Sequence, residues 1–250
     1  MITRLLVPLV VSGLISSSLL AELETKAESS NYEATSSHAE VVAFCNALAE
    51  ESPRVVHTNF GQSGEKRDLP LLILSDDGIT EPNDRLTILC LGNIHAGEVC
   101  GKEALLMLAR DLARAEKPGL LKNINLLVAP IYNADGNERM AHDNRPGQDG
   151  PKDGMGERHN SQGLDLNRDY VKAQAPETRA LLKLLRDWDP EVIIDTHTTN
   201  GSHHRYTLTY GGPRHPNTDP RLVDYVRETF LPKVGDKLRD RSGYDSFFYG

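Results

Sequence analysis

Leu86-Thr87-Ile88-Leu89-Cys90-Leu91-Gly92-Asn93-Ile94-His95-Ala96-Gly97-Glu98 runs from an apolar segment into a polar turn. Its first six residues are a short apolar run stopped by glycine, which predicts a buried strand. Beyond Glu98, Leu105, Leu106, Leu108, Ala109 and Leu112 recur at helical spacing, with Arg110, Asp111 and Arg114 on the other side, so a helix follows. His95 and Glu98 therefore fall in the turn from strand to helix, three residues apart, where both side chains can converge on one point. An imidazole nitrogen and a carboxylate oxygen from one turn suit a borderline metal such as zinc. Alone the pair proves little, because a helix-start glutamate beside a polar loop histidine arises often by chance.

Working outward, the pattern repeats. Ser37-His38-Ala39-Glu40 is a capping box opening a helix to about Glu51, with Val41, Phe44, Cys45 and Leu48 as its buried face. Val55 to Phe60 and Leu69 to Leu74 read as a hairpin around Gly61-Gln62-Ser63-Gly64. Asn125 to Pro130 is a further buried strand, ended by the turn signal Asn133-Ala134-Asp135-Gly136. Glu138 to Gly163 is rich in Gly, Asp, Asn and Pro without period, and a loop this long in a compact domain usually lines a site. A helix from about Pro176 to Trp188, a buried strand Glu191 to His197 and a helix from about Asp219 to Leu238 follow. Strands alternating with helices define an α/β protein with helices on both faces of its sheet.

At 250 residues, with 38% hydrophobic and 26% charged residues, the chain is long enough to bury a real core. A net charge of −8 and the lack of a Lys/Arg block argue against nucleic acid as a partner. Arg4, the apolar stretch Leu5 to Leu20 and Ala21 read as an export signal over residues 1–21. It is too serine-rich for a membrane span, although a retained anchor is the alternative. The chain is thus expected in an exported location, secreted or periplasmic, free of the membrane after cleavage. Residues 22–36, polar and without period, read as a flexible leader, and 37–250 as the catalytic domain. Of the three cysteines, Cys45 and Cys90 read as small buried hydrophobes. Cys100 reads as a ligand or, more simply, as packing under the helix start.

His197 ends a strand at its C-terminal edge, where ligands of α/β sheets gather. If that strand runs parallel to Leu86–Leu91, His95, Glu98 and His197 form three protein ligands with a free fourth position, the arrangement of a catalytic zinc. Asp195, two residues earlier, lies on the same face of its strand and could buttress the site. Arg158 to Tyr170 packs charged residues before a helix, which by itself reads as a solvated network.

Together these stretches resemble the zinc metallocarboxypeptidase family. His95-Ala96-Gly97-Glu98 is similar to its His-x-x-Glu ligand pair, and Asp165-Leu166-Asn167-Arg168-Asp169-Tyr170 to its Asp-x-Asn-Arg-(Asn or Asp)-aromatic motif. His197 falls where the third ligand is expected, and the Arg-x-Asn lead at Arg158 is similar to the subfamily of carboxypeptidases N, E and D. The resemblance covers about Val55 to Tyr210. It implies a mixed, mostly parallel sheet, one zinc per chain on His95, Glu98 and His197, and a peptide substrate with a free C-terminal carboxylate. It further implies that Asn167 and Arg168 hold that carboxylate, that Arg158 polarises the scissile carbonyl, and that Asp165 orients His95.

The departures are as informative. After His197 the sequence offers only Glu228 for the family's general base, and the substrate-capping tyrosine has no match around Tyr244 or Tyr249. The resemblance therefore implies that the last strands and the base lie past residue 250, and that the chain as given has little activity. Arg139 and Arg145 are rivals for the oxyanion role but read more simply as loop ion-pair partners. His203 and His204 have only sequence proximity to support a second metal. Two rival functions remain: a zinc amide hydrolase on N-acyl amino acids or peptidoglycan stem peptides, and a non-catalytic peptide- or zinc-binding module. Oligomeric state is not legible.

Overall fold

Each strand of the central sheet alternates between two apolar faces, and that alternation fixes what packs on either side. In the computed structural model, which describes residues 23–115 and 119–249, the chain divides into two compact units between Thr198 and Thr199. The export signal expected over residues 1–21 lies outside the described residues.

The first unit contains α1 (Lys26–Ser29), α2 (His38–Glu51), β1 (Val55–Gln62), β2 (Asp68–Leu74), β3 (Leu86–Leu91), α3 (Val99–Arg114), β4 (Ile124–Ala129), α4 (Ala134–Asn137), α5 (Pro176–Trp188) and β5 (Val192–Asp195). The sheet order is β1-β2-β4-β3-β5. β2 pairs antiparallel with β1 and β4, whereas β3 pairs parallel with β4 and β5. The protein is therefore mixed α/β, as expected. Leu72, Leu74, Cys90, Leu126 and Val128 pack with Val41, Phe44 and Leu48 of α2 and Leu105, Leu106 and Ala109 of α3. The alternate residues Leu71, Ile73, Leu89, Leu91 and Leu127 pack with Leu181 and Leu184 of α5. Covering both faces explains why these strands read as unbroken apolar runs, and each buried leucine contributes about 1.5–3 kcal/mol by leaving water.

Parallel pairing aligns three strand ends. Leu91 is level with Ala129 on one side and Asp195 on the other, so the chain leaves β3, β4 and β5 at one edge of the sheet. β5 departs from expectation: read as buried, it is the last strand of the order, and Ile193 is 50% exposed. An apolar run cannot by itself separate an edge strand from a central one.

A second difference concerns the leader. Its described part is ordered. Thr25 and Glu28 form a capping box at α1. The buried Glu103 of α3 accepts from Thr35 Oγ1 (2.8 Å), Ser36 N (2.7 Å) and Ser36 Oγ (3.1 Å), and Arg110 forks onto Glu28 at 2.7 and 2.8 Å. The serines and threonines that suggested flexibility are here the partners of a buried carboxylate on a distant helix, which local composition does not reveal.

The second unit holds β6 (Leu208–Tyr210), α6 (Pro220–Tyr225), α7 (Leu231–Ser242) and β7 (Ser246–Phe248). The helix expected from Asp219 is interrupted by a π-turn at Val226–Phe230. Pro232 has no N–H to donate and its ring crowds the preceding turn, so the wider turn accommodates it.

Candidate metal centre

Gly92 continues the β3 pairing, donating its N–H to Ala129 O at 2.9 Å. A side chain there would meet Pro130 O at 2.7 Å, so the backbone can turn close to β4 only as glycine. Asn93 follows in the left-handed region at φ 62°, and Glu98 N–H closes the turn onto His95 O at 2.9 Å. The result puts both side chains inside: His95 and Glu98 are each 3% exposed. On the neighbouring strand, Thr196 N–H donates to Leu91 O at 3.0 Å, which carries His197 to the same edge.

His95, Glu98 and His197 meet there, with one donor atom from each lying within 4.8 Å of the others. The two imidazole rings cross edge-on at 4.8 Å. Each histidine is held through one nitrogen by an aspartate. His95 Nε2 lies 3.1 Å from Asp165 Oδ1, and His197 Nδ1 lies 2.8 Å from Asp195 Oδ1. Assigning those nitrogens as the donors leaves His95 Nδ1 and His197 Nε2 as lone pairs. His95 Nδ1 then faces Glu98 Oε1 at 2.9 Å, two acceptors that need a proton or a cation between them. Two imidazoles and a carboxylate, each imidazole backed by a carboxylate, fit a zinc ion with an open position.

The Asp165 segment is built to serve this point. Leu166, fully buried, anchors a 3-10 turn at Leu166–Arg168, and Asp165 caps it by accepting from Asn167 N–H at 3.0 Å. Asp165 Oδ2 takes Arg158 Nε and Nη2 at 3.0 and 2.9 Å, leaving Arg158 Nη1 3.3 Å from His95 Nδ1. Asn167 Nδ2 stands 3.2 Å from His197 Nε2. Arg168 is exposed, and its Nη1 donates to Asn167 O at 2.8 Å.

Charge follows from these bonds. Burial would raise the Glu98 carboxyl, but its close contact with His95 and the hydrogen bond from Thr198 N–H outweigh it and hold the group below the ordinary carboxylate range. Asp165 is lowered in the same way: burial opposes, and the bonds from Arg158 and His95 prevail. Burial would lower His197, yet its bond to Asp195 and the charges of Asp195 and Glu98 raise it.

His95, Glu98, His197, Asp165, Asp195, Asn167 and Arg158 thus come together, with Arg168 beside Asn167. Cys100, at the start of α3, is exposed and outside the cluster, so its packing reading is corrected. Among the described residues the three-ligand group is the one of its kind, and His203 and His204 are not in it. Arg145, read from the sequence as a loop ion-pair partner, is 7% exposed and reaches Glu98 Oε1 with Nη2 at 2.9 Å. It was legible as an ion-pair arginine, but nothing in its spacing points to Glu98.

A mixed α/β sheet thus gathers two histidines, a glutamate and guanidinium groups at its aligned strand ends, a group that could hold a metal ion. The chain belongs to the zinc carboxypeptidase family, whose sequence profile matches residues 41–242. It is 28% identical over 160 residues to carboxypeptidase 2 of Trichophyton rubrum, covering 62% of this chain and 27% of that protein. It is 29% identical over 159 residues to human carboxypeptidase D, covering 58% of this chain and 11% of that protein. A solved metallo-carboxypeptidase from Burkholderia cenocepacia shares the fold at a TM-score of 0.62 and 18% identity, over 86% of this chain and 54% of its own. The chain thus spans about a quarter or less of these two curated relatives and about half of that structure.

Proposed function

We propose that the protein is an exported zinc-dependent metallocarboxypeptidase that acts on C-terminal peptide bonds, with one zinc per chain on His95, Glu98 and His197. The observation that carries this reading is the convergence of those three side chains, with donor atoms within 4.8 Å. When bound, zinc lowers the pKa of its water to about 7 and so supplies a nucleophile at neutral pH. Asp165 and Asp195 keep the two imidazoles in the tautomers that face the ion.

In this reading Asn167 and Arg168 bind the free carboxylate of the substrate, a planar anion that suits a guanidinium fork. Arg158 meets the scissile carbonyl, since Asp165 fixes its Nε and Nη2 and leaves Nη1 beside His95. A donor fixed in advance stabilises the developing oxyanion without reorganising. Export rests on residues 1–21; no helix among the described residues is long and apolar enough to cross a membrane. No residue is assigned the proton transfer: Glu228, the only glutamate after His197, pairs with Arg227 at 3.0 Å.

The test is to incubate the protein with zinc and matched peptides that end in a carboxylate or an amide. Release of the terminal amino acid from the carboxylate form alone, stopped by a chelator and restored by zinc, supports the proposal. Release from both forms alike favours the amide hydrolase. Zinc-dependent binding of the carboxylate form without release favours the binding module.

A further inference from the structure

The long loop 138–157 does more than border the centre. Arg145 Nη2 donates to Glu98 Oε1 at 2.9 Å, and Arg145 Nε donates to Gln148 Oε1 at 2.9 Å. Gln148 Nε2 donates to Thr198 Oγ1 at 3.2 Å, and Thr198 N–H returns to Glu98 Oε2 at 2.7 Å. These four bonds close a ring. It engages both oxygens of the Glu98 carboxylate and ends on the residue that follows His197, so it joins two strand ends that share no covalent neighbour.

The ring stands on a built loop. Ala141 and Met155 exchange backbone bonds at 3.0 and 3.1 Å, and Asn144 Nδ2 donates to Arg139 O and Met155 O at 2.7 and 2.8 Å. Gln148 N–H donates to Arg145 O at 3.0 Å. The loop lies flush on the metal turn: a side chain at Gly97 would meet Arg145 Cγ at 2.6 Å and Gly156 O at 2.8 Å. Glycine at position 97 is what lets the guanidinium reach a carboxylate that is 3% exposed.

We infer that Arg145 and Gln148 are positioning residues, a strap that sets the Glu98 carboxylate and the His197 turn as one unit for the metal. The inference rests on the zinc reading above. Arg145 is placed to act through Glu98, to which it donates. Electrostatics and positioning predict opposite signs here. A guanidinium beside a ligand carboxylate competes with a dication for the same negative charge, so without a positioning role its removal would tighten zinc binding. With the role, removal frees the carboxylate plane and weakens binding, by the 10- to 100-fold typical of groups that orient metal ligands.

The experiment measures zinc affinity of the full chain by chelator competition. Arg145→Ala is expected to weaken zinc about 10- to 100-fold, and Gln148→Ala to weaken it less. The double variant should bind no more weakly than Arg145→Ala, because both residues belong to one ring. Arg145→Lys keeps a cation and most of the buried volume, so folding is preserved; it is expected to bind zinc weakly too, since an ammonium cannot bridge Glu98 and Gln148 in a fixed plane. Zinc affinity unchanged or tighter in the Lys and Ala variants, or additive losses in the double variant, would overturn the strap. Failure of the unaltered chain to bind zinc would overturn the zinc reading and the strap with it.

Discussion

His95 Nε2 and Asp165 Oδ1 lie 3.1 Å apart, while Oδ2 of the same carboxylate is held by Arg158. One aspartate thus links His95 to the arginine that reaches toward the same point. Asp165→Asn keeps the shape and removes the charge that both partners use. Zinc affinity should fall about 10- to 100-fold, measured by chelator competition. Equal affinity would show that His95 needs no help from Asp165.

Arg168→Ala should impair binding of peptides with a free C-terminal carboxylate far more than of amidated ones. A lost charge-assisted bond costs about 1.5–3 kcal/mol, or one to two decades of affinity. Competition binding with matched peptides reads this directly. Equal losses for the two peptide types would remove Arg168 from the carboxylate pocket.

The residues that signalled the site in the sequence are those whose chemistry is unusual for their place. His95 and Glu98 are polar residues following an apolar run, and His197 sits at the end of another, so strand ends and metal chemistry were legible together. The capped helix at Ser37, the hairpin and the helix from Pro176 were legible because their signals are local. What was hidden depended on distant partners. Residues 23–36 are ordered by Glu103 and Arg110 on α3, some 70 to 80 positions away in sequence. Arg145 reaches Glu98 across 47 positions, within a loop whose composition says only that it is irregular. The place of β5 at the end of the strand order is likewise something no strand's own sequence encodes.

Glu28 offers a test of that ordered leader through pH. Its hydrogen bonds with Arg110 outweigh burial and hold the carboxyl down at about 2, from an ordinary 4.5. An acid whose folded pKa is depressed stabilises fully above the unfolded value and loses that contribution as pH falls through the folded one. Glu28→Gln keeps the capping-box geometry and removes the charge. It should cost about 1–2 kcal/mol near neutrality, between the worth of an exposed pair and of a buried charge-assisted bond. In thermal melts the gap from the unaltered protein should close between pH about 4.5 and about 2. A gap that stays constant through that window would place the effect elsewhere.

Gly101, in the first turn of α3, lies against the residue that precedes His197. A side chain there would meet Thr196 Cβ at 2.6 Å and Thr196 O at 2.7 Å. Gly101→Ala must push the helix start off β5, and overpacking of this kind costs about 1–3 kcal/mol. The denaturant midpoint should drop, and zinc affinity with it, because Glu98 rides on that helix start and His197 on that strand end. A variant of unchanged stability would mean that the two elements separate freely.

Whether His95, Glu98 and His197 together hold one metal ion is read from the zinc content of the purified chain, dialysed against metal-free buffer after loading, beside that of His197→Ala. One zinc per chain is expected in the unaltered protein and well under one in the variant, with both folded by circular dichroism. Full zinc in His197→Ala, or none in the unaltered chain, would contradict that expectation.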